Sequence, residues 1–185
     1  MKTTTGSSPN HKLREVPIAY HAHQTAGSKL VVACAVITVS DTRVPETDSS
    51  GQRVQSLLAE RGHRIVHYQI VPDDETRLGE LLAALVANPE VDAILTTGGT
   101  GISRRDRTIP VIAAMLDSTL DGFGELFRML SYEQIQSGAM LSRAIAGVAR
   151  GKLIFAMPGS TGAVELAMTK LVLPELGHLV SELRK

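Results

Sequence analysis

Apolar runs and segments with helical spacing alternate along the chain from residue 30 onward. Four runs rich in β-branched residues predict strands: Leu30–Val39, His63–Val71, Val91–Thr97 and Lys152–Pro158. Apolar residues at helical spacing predict six helical segments: one from near Asp48–Ser50 to Gly62, then Glu75–Ala87, one after Pro110, then Gly122–Ile135, a stretch around Met140–Arg143, and a last helix from Thr161 to Leu173 or beyond. Alternating strands and helices are typical of a three-layer α/β/α sandwich with a mainly parallel sheet, so the predicted fold class is α/β.

The first 28 residues differ in character from the rest of the chain. They are polar, with Gly, Ser, Pro and several histidines. We expect residues 1–28 to form a flexible N-terminal arm and residues 29–185 to form a single domain. The length of 185 residues supports one well-filled core better than two.

Composition and charge disfavour several classes of ligand and several locations for the protein. The formal net charge is zero, so no basic field favours nucleic acid. No apolar run approaches the ~20 residues that span a bilayer, and the first residues lack the apolar core of a signal peptide. The single cysteine, Cys34, lies in an apolar run and is predicted to be a small buried side chain. We therefore expect a cytoplasmic protein that binds neither nucleic acid nor membrane.

Polar segments follow each predicted strand. In chain order they read SDT, VPDDE, TTGGTGISRRD and PGSTG. The carboxyl ends of parallel strands meet at one edge of a sheet, where ligands bind. Glycines there allow a ligand to approach backbone N–H groups, and a helix N-terminus favours an anion. The residues that these segments offer to a phosphate are Gly98, Gly99, Thr100, Gly101, Pro158, Gly159 and Ser160.

Three carboxylates belong to the same segments: Asp41, Asp73 and Asp106. Carboxylates beside phosphates make chemical sense when a hard cation bridges them, and Mg²⁺ suits that role. The pattern therefore indicates a phosphate-rich ligand with Mg²⁺, and phosphoryl or nucleotidyl chemistry.

Each of these features also has a purely structural interpretation. The GGTG loop can be only a turn, and the PGS turn can be only a helix cap. Asp41 can cap a turn, and Asp73 can be the N-cap of the helix at Glu75. Arg104 and Arg105 can be solvated surface charges.

Several ordered motifs together resemble a known family. TTGGTG followed by RRD, SD after the first strand, VPDD after the second, LSRAIAG at Leu141–Gly147 and MPGS at Met157–Ser160 resemble the MoaB/MogA family of molybdenum cofactor biosynthesis. The resemblance runs from about Val31 to Leu173. The segment GFGELFRMLSYEQI at Gly122–Ile135 is more similar to the MoaB branch.

The resemblance implies a molybdopterin-binding, MogA-like fold. It also implies adenylylation of molybdopterin by Mg-ATP with release of pyrophosphate, in trimers or in hexamers built from two trimers, alongside other molybdenum cofactor biosynthesis proteins. On this chain Asp73 and Asp106 match the family's two acidic positions required for transfer, and they are the expected Mg²⁺ ligands. The expected pocket for nucleotide and pterin comprises the GGTG loop, Asp41, Arg105, Ser142 and the Pro158-Gly159-Ser160 turn.

One departure from the family pattern keeps an alternative open. The family's Arg-Asp-x-Thr-Pro-Asp/Glu reads here Arg105-Asp106-Arg107-Thr108-Ile109-Pro110, without the last acid. The alternatives are a MoaB-type protein that binds molybdopterin or a precursor without catalysis, and a generic nucleotide-binding scaffold. The molybdate-inserting enzyme of the same fold is disfavoured by the GGTG loop and the short chain.

Overall fold

The computed structural model describes residues 30–185; the predicted arm at residues 1–28 lies outside the described residues. The strands are β1 (Ala33–Val39), β2 (Arg64–Val71), β3 (Ala93–Thr97), β4 (Ser118–Thr119), β5 (Ile145–Ala149) and β6 (Lys152–Met157). The α-helices are α1 (Ser49–Glu60), α2 (Glu75–Ala87), α3 (Thr108–Met115), α4 (Asp121–Ile135), α5 (Thr161–Ala167) and α6 (Leu173–Leu183). Short 3₁₀ helices span Pro45–Thr47 and Gln136–Leu141, and a π-helical turn at Met168–Val172 joins α5 to α6.

The strands form one six-stranded sheet in the order β2-β1-β3-β6-β5-β4. The pairs β1–β2, β1–β3 and β3–β6 are parallel, whereas β5 pairs antiparallel with both β6 and β4. The predicted α/β fold with a mainly parallel sheet is therefore confirmed. The four parallel strands are neighbours, so their carboxyl ends lie in one row.

Two apolar clusters cover the two faces of the sheet. One joins alternate residues of the central strands to α1, α4, α5 and α6, and it includes Cys34, Val36 and Phe155. The other joins the intervening residues, such as Ile37 and Ile154, to α2 and α3. Cys34 is fully buried, as predicted, and burial raises the pKa of its thiol to about 12. The core is thus the interior of a three-layer sandwich.

The antiparallel strands β4 and β5 were not predicted. Strand β5 reads IAGVA, and its Ala and Gly residues lack the alternation of large apolar and polar side chains. Gly147 is required there because a Cβ would overlap the carbonyl oxygen of Ser118 on β4. The helix predicted around Met140–Arg143 is wrong in its second half, since the 3₁₀ helix ends at Leu141 and the chain then enters β5.

The other helices follow the prediction closely. α2 has the predicted bounds, and α3 begins two residues before Pro110, which the first helical turn tolerates because its N–H groups need no intrahelical acceptor. Among residues 30–185, the structure contains no helix that combines the length and apolar character needed to cross a membrane.

Candidate functional site

The segments that follow β2, β1, β3 and β6 meet at the carboxyl edge of the sheet. The N–H of Asp73 donates a hydrogen bond of 3.0 Å to Oδ1 of Asp41, which joins the segments after β2 and β1. The N–H of Gly98 donates to the carbonyl of Met157 at 3.2 Å, and Oγ1 of Thr97 donates to the carbonyl of Pro158 at 3.2 Å. These bonds join the segments after β3 and β6. The structure thus brings the predicted loops together.

The GGTG loop needs its first two glycines for backbone conformation. Gly98 has φ +93° and Gly99 has φ +60°, both in the left-handed region that side chains disfavour. A Cβ on Gly98 would overlap the carbonyl oxygen of Val39, and one on Gly99 would lie 2.5 Å from Oδ1 of Asp73. Thr108 holds the loop from the other side, since its N–H donates to Gly99 O and its hydroxyl to Gly98 O. The conformation of the loop is therefore fixed by its first two glycines and by Thr108.

Asp106 is held against the far end of this loop. Its Oδ2 accepts a 2.7 Å hydrogen bond from the N–H of Ser103, and a Cβ on Gly101 would lie 2.7 Å from the same oxygen. A hydrogen bond from the Ser103 side chain lowers the pKa of Asp106; backbone N–H groups of Ser103 and Gly101 and the nearby Arg143 lower it further. Asp106 is thus an ionised carboxylate at neutral pH.

Asp73 has the opposite electrostatic environment. Its Oδ1 is buried and has no hydrogen-bond partner in the described part of the chain. Burial raises the pKa of Asp73, and the charges of Asp106 and Asp41 raise it further, while Arg105 offsets them. The N-cap of α2 is the next residue, Asp74, whose side chain accepts a hydrogen bond from the N–H of Arg77 at 2.8 Å. The N-cap interpretation of Asp73 is therefore wrong, and among residues 30–185 no group satisfies its Oδ1.

An unpartnered carboxylate oxygen beside a second carboxylate fits a divalent cation. An orphaned buried acceptor is costly unless a ligand satisfies it, and Mg²⁺ prefers oxygen donors. In residues 30–185 no group of three His, Cys, Asp or Glu side chains converges as a metal site. Mg²⁺ on Asp73 or Asp106 would therefore complete its coordination with phosphate oxygens and water.

Two cavities contain residues of the segments that follow β1, β2 and β6, and neither is lined by the GGTG loop. One of about 550 Å³ lies beside β1 and β2, with Asp41, Arg43 and Tyr68 in its lining. The other, about 300 Å³, lies beside β6 and contains three predicted residues, Ser142, Pro158 and Ser160. The structure therefore divides the predicted pocket residues, with Asp41 in one cavity and Ser142, Pro158 and Ser160 in the other.

The PGS turn combines a structural role with close packing. Ser160 is the N-cap of α5, and its hydroxyl accepts from the N–H of Ala163 at 3.2 Å, so the capping interpretation is confirmed. Gly159 lies against the loop, since a Cβ there would be 3.1 Å from Cα of Gly98. Arg105 is largely exposed, and its Nη1 lies 3.9 Å from Oδ2 of Asp41, which makes a weak surface ion pair.

Two side chains that support the edge were not singled out from the sequence. Nη1 of Arg143 donates a 2.8 Å hydrogen bond to the carbonyl of Gly101 and so ties the segment before β5 to the loop. Asp48 is fully buried and accepts from the hydroxyls of Thr38 (2.6 Å) and Tyr68 (2.7 Å), which fixes the start of α1 beside β1 and β2. Arg143 lies within the motif LSRAIAG, which was the available signal.

Comparison with known proteins places this fold and edge in one family. The model of the probable molybdopterin binding domain matches residues 35–178, which include most of β1, the GGTG loop and the PGS turn. The chain therefore belongs to the MoaB/MogA family of molybdopterin-binding domains.

Its relatives identify the branch. Molybdenum cofactor biosynthesis protein B of Bacillus cereus is 54% identical over 155 residues, 83% of this chain and 92% of the relative. The corresponding protein of Bacillus subtilis is 52% identical over 156 residues, 84% of this chain and 92% of the relative. These relatives support a role in molybdenum cofactor biosynthesis.

Solved structures agree with the sequence relatives. A crystal structure of molybdenum cofactor biosynthesis protein B has a TM-score of 0.82 at 52% identity, covering 84% of this chain and 97% of that one. The tungsten cofactor synthesizing protein MoaB from Pyrococcus furiosus has a TM-score of 0.75 at 36% identity, covering 84% and 98%.

Proposed function

We propose that the chain catalyses Mg-ATP-dependent adenylylation of molybdopterin, giving adenylyl-molybdopterin and pyrophosphate. The observation that carries the proposal is the buried, unpartnered Oδ1 of Asp73 beside Gly99, with the ionised Asp106 against Gly101. Asp106 also holds the turn by accepting from the N–H of Ser103, but no hydrogen bond in the described residues uses Oδ1 of Asp73. Family membership supplies the substrate class.

The residues of the edge would act by position and charge. The N–H groups of Gly98 and Gly101 already donate to the carbonyl of Met157 and to Asp106, so those of Gly99 and Thr100, together with the α5 N-terminus, would hold phosphate oxygens. Mg²⁺ held by Asp73 and Asp106 would neutralise part of the negative charge of the phosphates. Thr108 and Arg143 would keep the loop in its left-handed conformation through the bonds described above.

The reaction needs no catalytic base from the chain. An oxygen of the terminal phosphate of molybdopterin attacks the α-phosphorus of ATP, a new P–O bond forms, and the bond from the α-phosphorus to the β-phosphate oxygen breaks. Pyrophosphate leaves with that electron pair. A phosphate monoester is already ionised at neutral pH, so the task of the chain is alignment and electrostatic stabilisation.

We also propose a homo-oligomeric protein, a trimer or a hexamer of two trimers, that works with other molybdenum cofactor biosynthesis proteins. The neutral formal charge of the chain supports self-association, since no net charge opposes it.

A turnover assay tests the activity. Purified protein is incubated with molybdopterin, Mg²⁺ and ATP labelled at the α-phosphate, and the products are separated. We expect label in adenylyl-molybdopterin and release of one pyrophosphate per product. Retained molybdopterin binding without labelled product would instead favour the non-catalytic alternative, which the missing acid after Ile109-Pro110 motivates.

Asp106→Asn is expected to lower the rate of transfer about 100-fold or more, because it removes a negative charge that the proposal assigns to holding Mg²⁺ beside the phosphates. Stability should fall slightly at neutral pH. The lowered pKa of Asp106 means that its charge stabilises the fold above the unfolded-state pKa, and that this contribution is lost as pH falls through the folded-state value.

Asp117→Asn is the matched control for Asp106→Asn. Asp117 also accepts a backbone hydrogen bond, from Arg150 at 2.5 Å, but it lies at the start of β4, away from the edge. We expect it to keep the wild-type rate. Equal turnover in both variants would remove Asp106 from the mechanism.

A further inference from the structure

One fully buried carboxylate, that of Asp48, has no part in the proposed chemistry and yet receives four hydrogen bonds. Its Oδ2 accepts from the hydroxyls of Thr38 at 2.6 Å and of Tyr68 at 2.7 Å. Its Oδ1 accepts from the N–H of Gly51 at 2.9 Å and from the hydroxyl of Ser50 at 3.1 Å. We call the three side chains that meet at Oδ2, those of Thr38, Asp48 and Tyr68, the Asp48 network.

The Asp48 carboxylate is ionised in the folded protein. Burial opposes its ionisation, but the four hydrogen bonds, that from Thr38 above all, outweigh burial and lower its pKa. Gly51 leaves room for this arrangement, because a Cβ there would overlap Oδ2 of Asp48. A neutral serine or asparagine would cap α1 equally well, so capping alone does not account for a buried charge at this position.

The Asp48 network joins the two walls of the cavity of about 550 Å³ beside β1 and β2. One wall is the loop after β1, between Ser40 and Pro45, and the other runs from Tyr68 on β2 to Pro72. Thr38 is one residue before the end of β1, and Asp48 is at the return end of the loop. A single carboxylate oxygen therefore holds the two ends of the loop together and ties them to β2.

The strand ladder alone does not hold this loop. Its last backbone bond runs from the N–H of Ser40 to the carbonyl of Val71, at 2.8 Å. Beyond that bond, the loop meets the segment after β2 where the N–H of Asp73 donates to Oδ1 of Asp41 at 3.0 Å. The position of Asp41 against Asp73 therefore depends on how firmly the two ends of the loop are held.

We propose that Asp48 is a positioning residue for the carboxyl edge, which acts through Thr38 and Tyr68 to hold the loop that places Asp41 against Asp73. Asp41 fixes the backbone at Asp73, and the Asp73 carboxylate has the unpartnered oxygen that fits the cation. A misplacement of about 1 Å can cost on the order of 100-fold in rate. The effect on transfer rests on the proposed function, whereas the positioning of Asp41 and Asp73 does not.

Amide hydrogen exchange in Tyr68→Phe measures the positioning without substrate or metal. The substitution keeps the ring and removes only the hydroxyl that donates to Asp48. We expect the N–H of Asp73 to exchange about tenfold faster, because a loosened loop opens locally more often. The N–H of Ile154, in the buried strand β6, should change only as much as global stability does. Thr38→Val removes the other hydroxyl and should act in the same direction.

Two controls separate positioning from a general loss of stability. Tyr132→Phe removes the same hydroxyl from an exposed ring on α4, and it should change neither exchange nor transfer. Val180→Ala shortens a buried side chain of α6, and it should lower Tm without accelerating exchange at Asp73 beyond the change at Ile154. Equal acceleration at Asp73 in Val180→Ala and Tyr68→Phe would overturn the proposal.

Steady-state kinetics of Tyr68→Phe test the consequence for transfer. We expect kcat to fall about tenfold at an unchanged KM for molybdopterin, because no residue of the Asp48 network lines the cavity that contains Ser142, Pro158 and Ser160. Unchanged exchange at Asp73 would overturn the positioning, and faster exchange with full kcat would overturn its part in transfer. Faster exchange in a protein whose wild type never turns over would reject the adenylylation and leave the positioning standing.

Discussion

Asp73→Asn is expected to abolish adenylyl transfer while raising the thermal midpoint of unfolding. The substitution removes a carboxylate that the proposal assigns to Mg²⁺, and the loss of transfer should be about 100-fold or more. The same carboxylate destabilises the fold, because it is partly desolvated, has an unpartnered oxygen and lies near Asp106 and Asp41. We expect Tm to rise by about 1–3 °C.

The pH dependence follows from the same environment. Because the folded state raises the pKa of Asp73, the folded protein binds this proton more tightly than the unfolded chain. Stability should therefore fall as pH rises from the unfolded-state value of Asp through the raised pKa, and calorimetry should show Mg²⁺ affinity rising over the same window. Asp73→Asn should lose both changes.

Asp74→Asn is the comparison for Asp73→Asn, one residue away. Asp74 caps α2 by accepting from the N–H of Arg77, and asparagine is an equally good cap, so both Tm and transfer should stay near wild type. If Asp73→Asn instead lowered Tm and kept activity, its carboxylate would be a structural group.

Gly98→Ala is expected to have the largest effect on the fold of the site. The residue has φ +93°, and the added Cβ would overlap the carbonyl oxygen of Val39, a backbone atom that cannot turn aside. Left-handed strain and overpacking together should cost roughly 2–4 kcal/mol. Transfer should be lost even below the lowered Tm, since β3 and β1 must separate at the loop.

Gly62→Ala separates the two parts of this cost. Gly62 also has positive φ, +77°, but a Cβ there meets nothing within 4 Å. It should lose only about 1 kcal/mol and keep full transfer. Denaturant unfolding and the labelled-ATP assay measure both variants. Equal losses of stability and of transfer in Gly98→Ala and Gly62→Ala would show that the close approach of the GGTG loop to Val39 contributes to neither.

The sequence predicted the parallel part of the sheet and missed the antiparallel part for a physical reason. Strands β1, β3 and β6 are runs of buried residues because both of their faces are covered. Strand β2, which reads RIVHYQIV at the end of the sheet, is only partly buried and was predicted from its β-branched residues. Strand β5 is built of small residues that fit under α4 and beside β4, and such packing leaves no periodic signal. The position of β5 in the sheet is therefore determined by tertiary contacts and not by local propensity.

For the candidate site, residue types were predictable but their environments were not. Parallel strand order brings Asp41, Asp73 and the GGTG loop to one edge, which the sequence predicted. Which of two adjacent aspartates caps α2 depends on one residue of register, and only the structure shows that Asp74 does so. The contact from Arg143 to the loop spans 42 residues and has no local signature.

The most direct test of the account is a crystal grown with Mn²⁺ in place of Mg²⁺ and a non-hydrolysable ATP analogue. We expect an anomalous peak coordinated by the carboxylate of Asp73 or Asp106, and phosphate density against the backbone of Gly98–Gly101. An analogue bound on another face of the protein, with the carboxyl edge of β1, β2, β3 and β6 empty, would contradict the proposed nucleotide site.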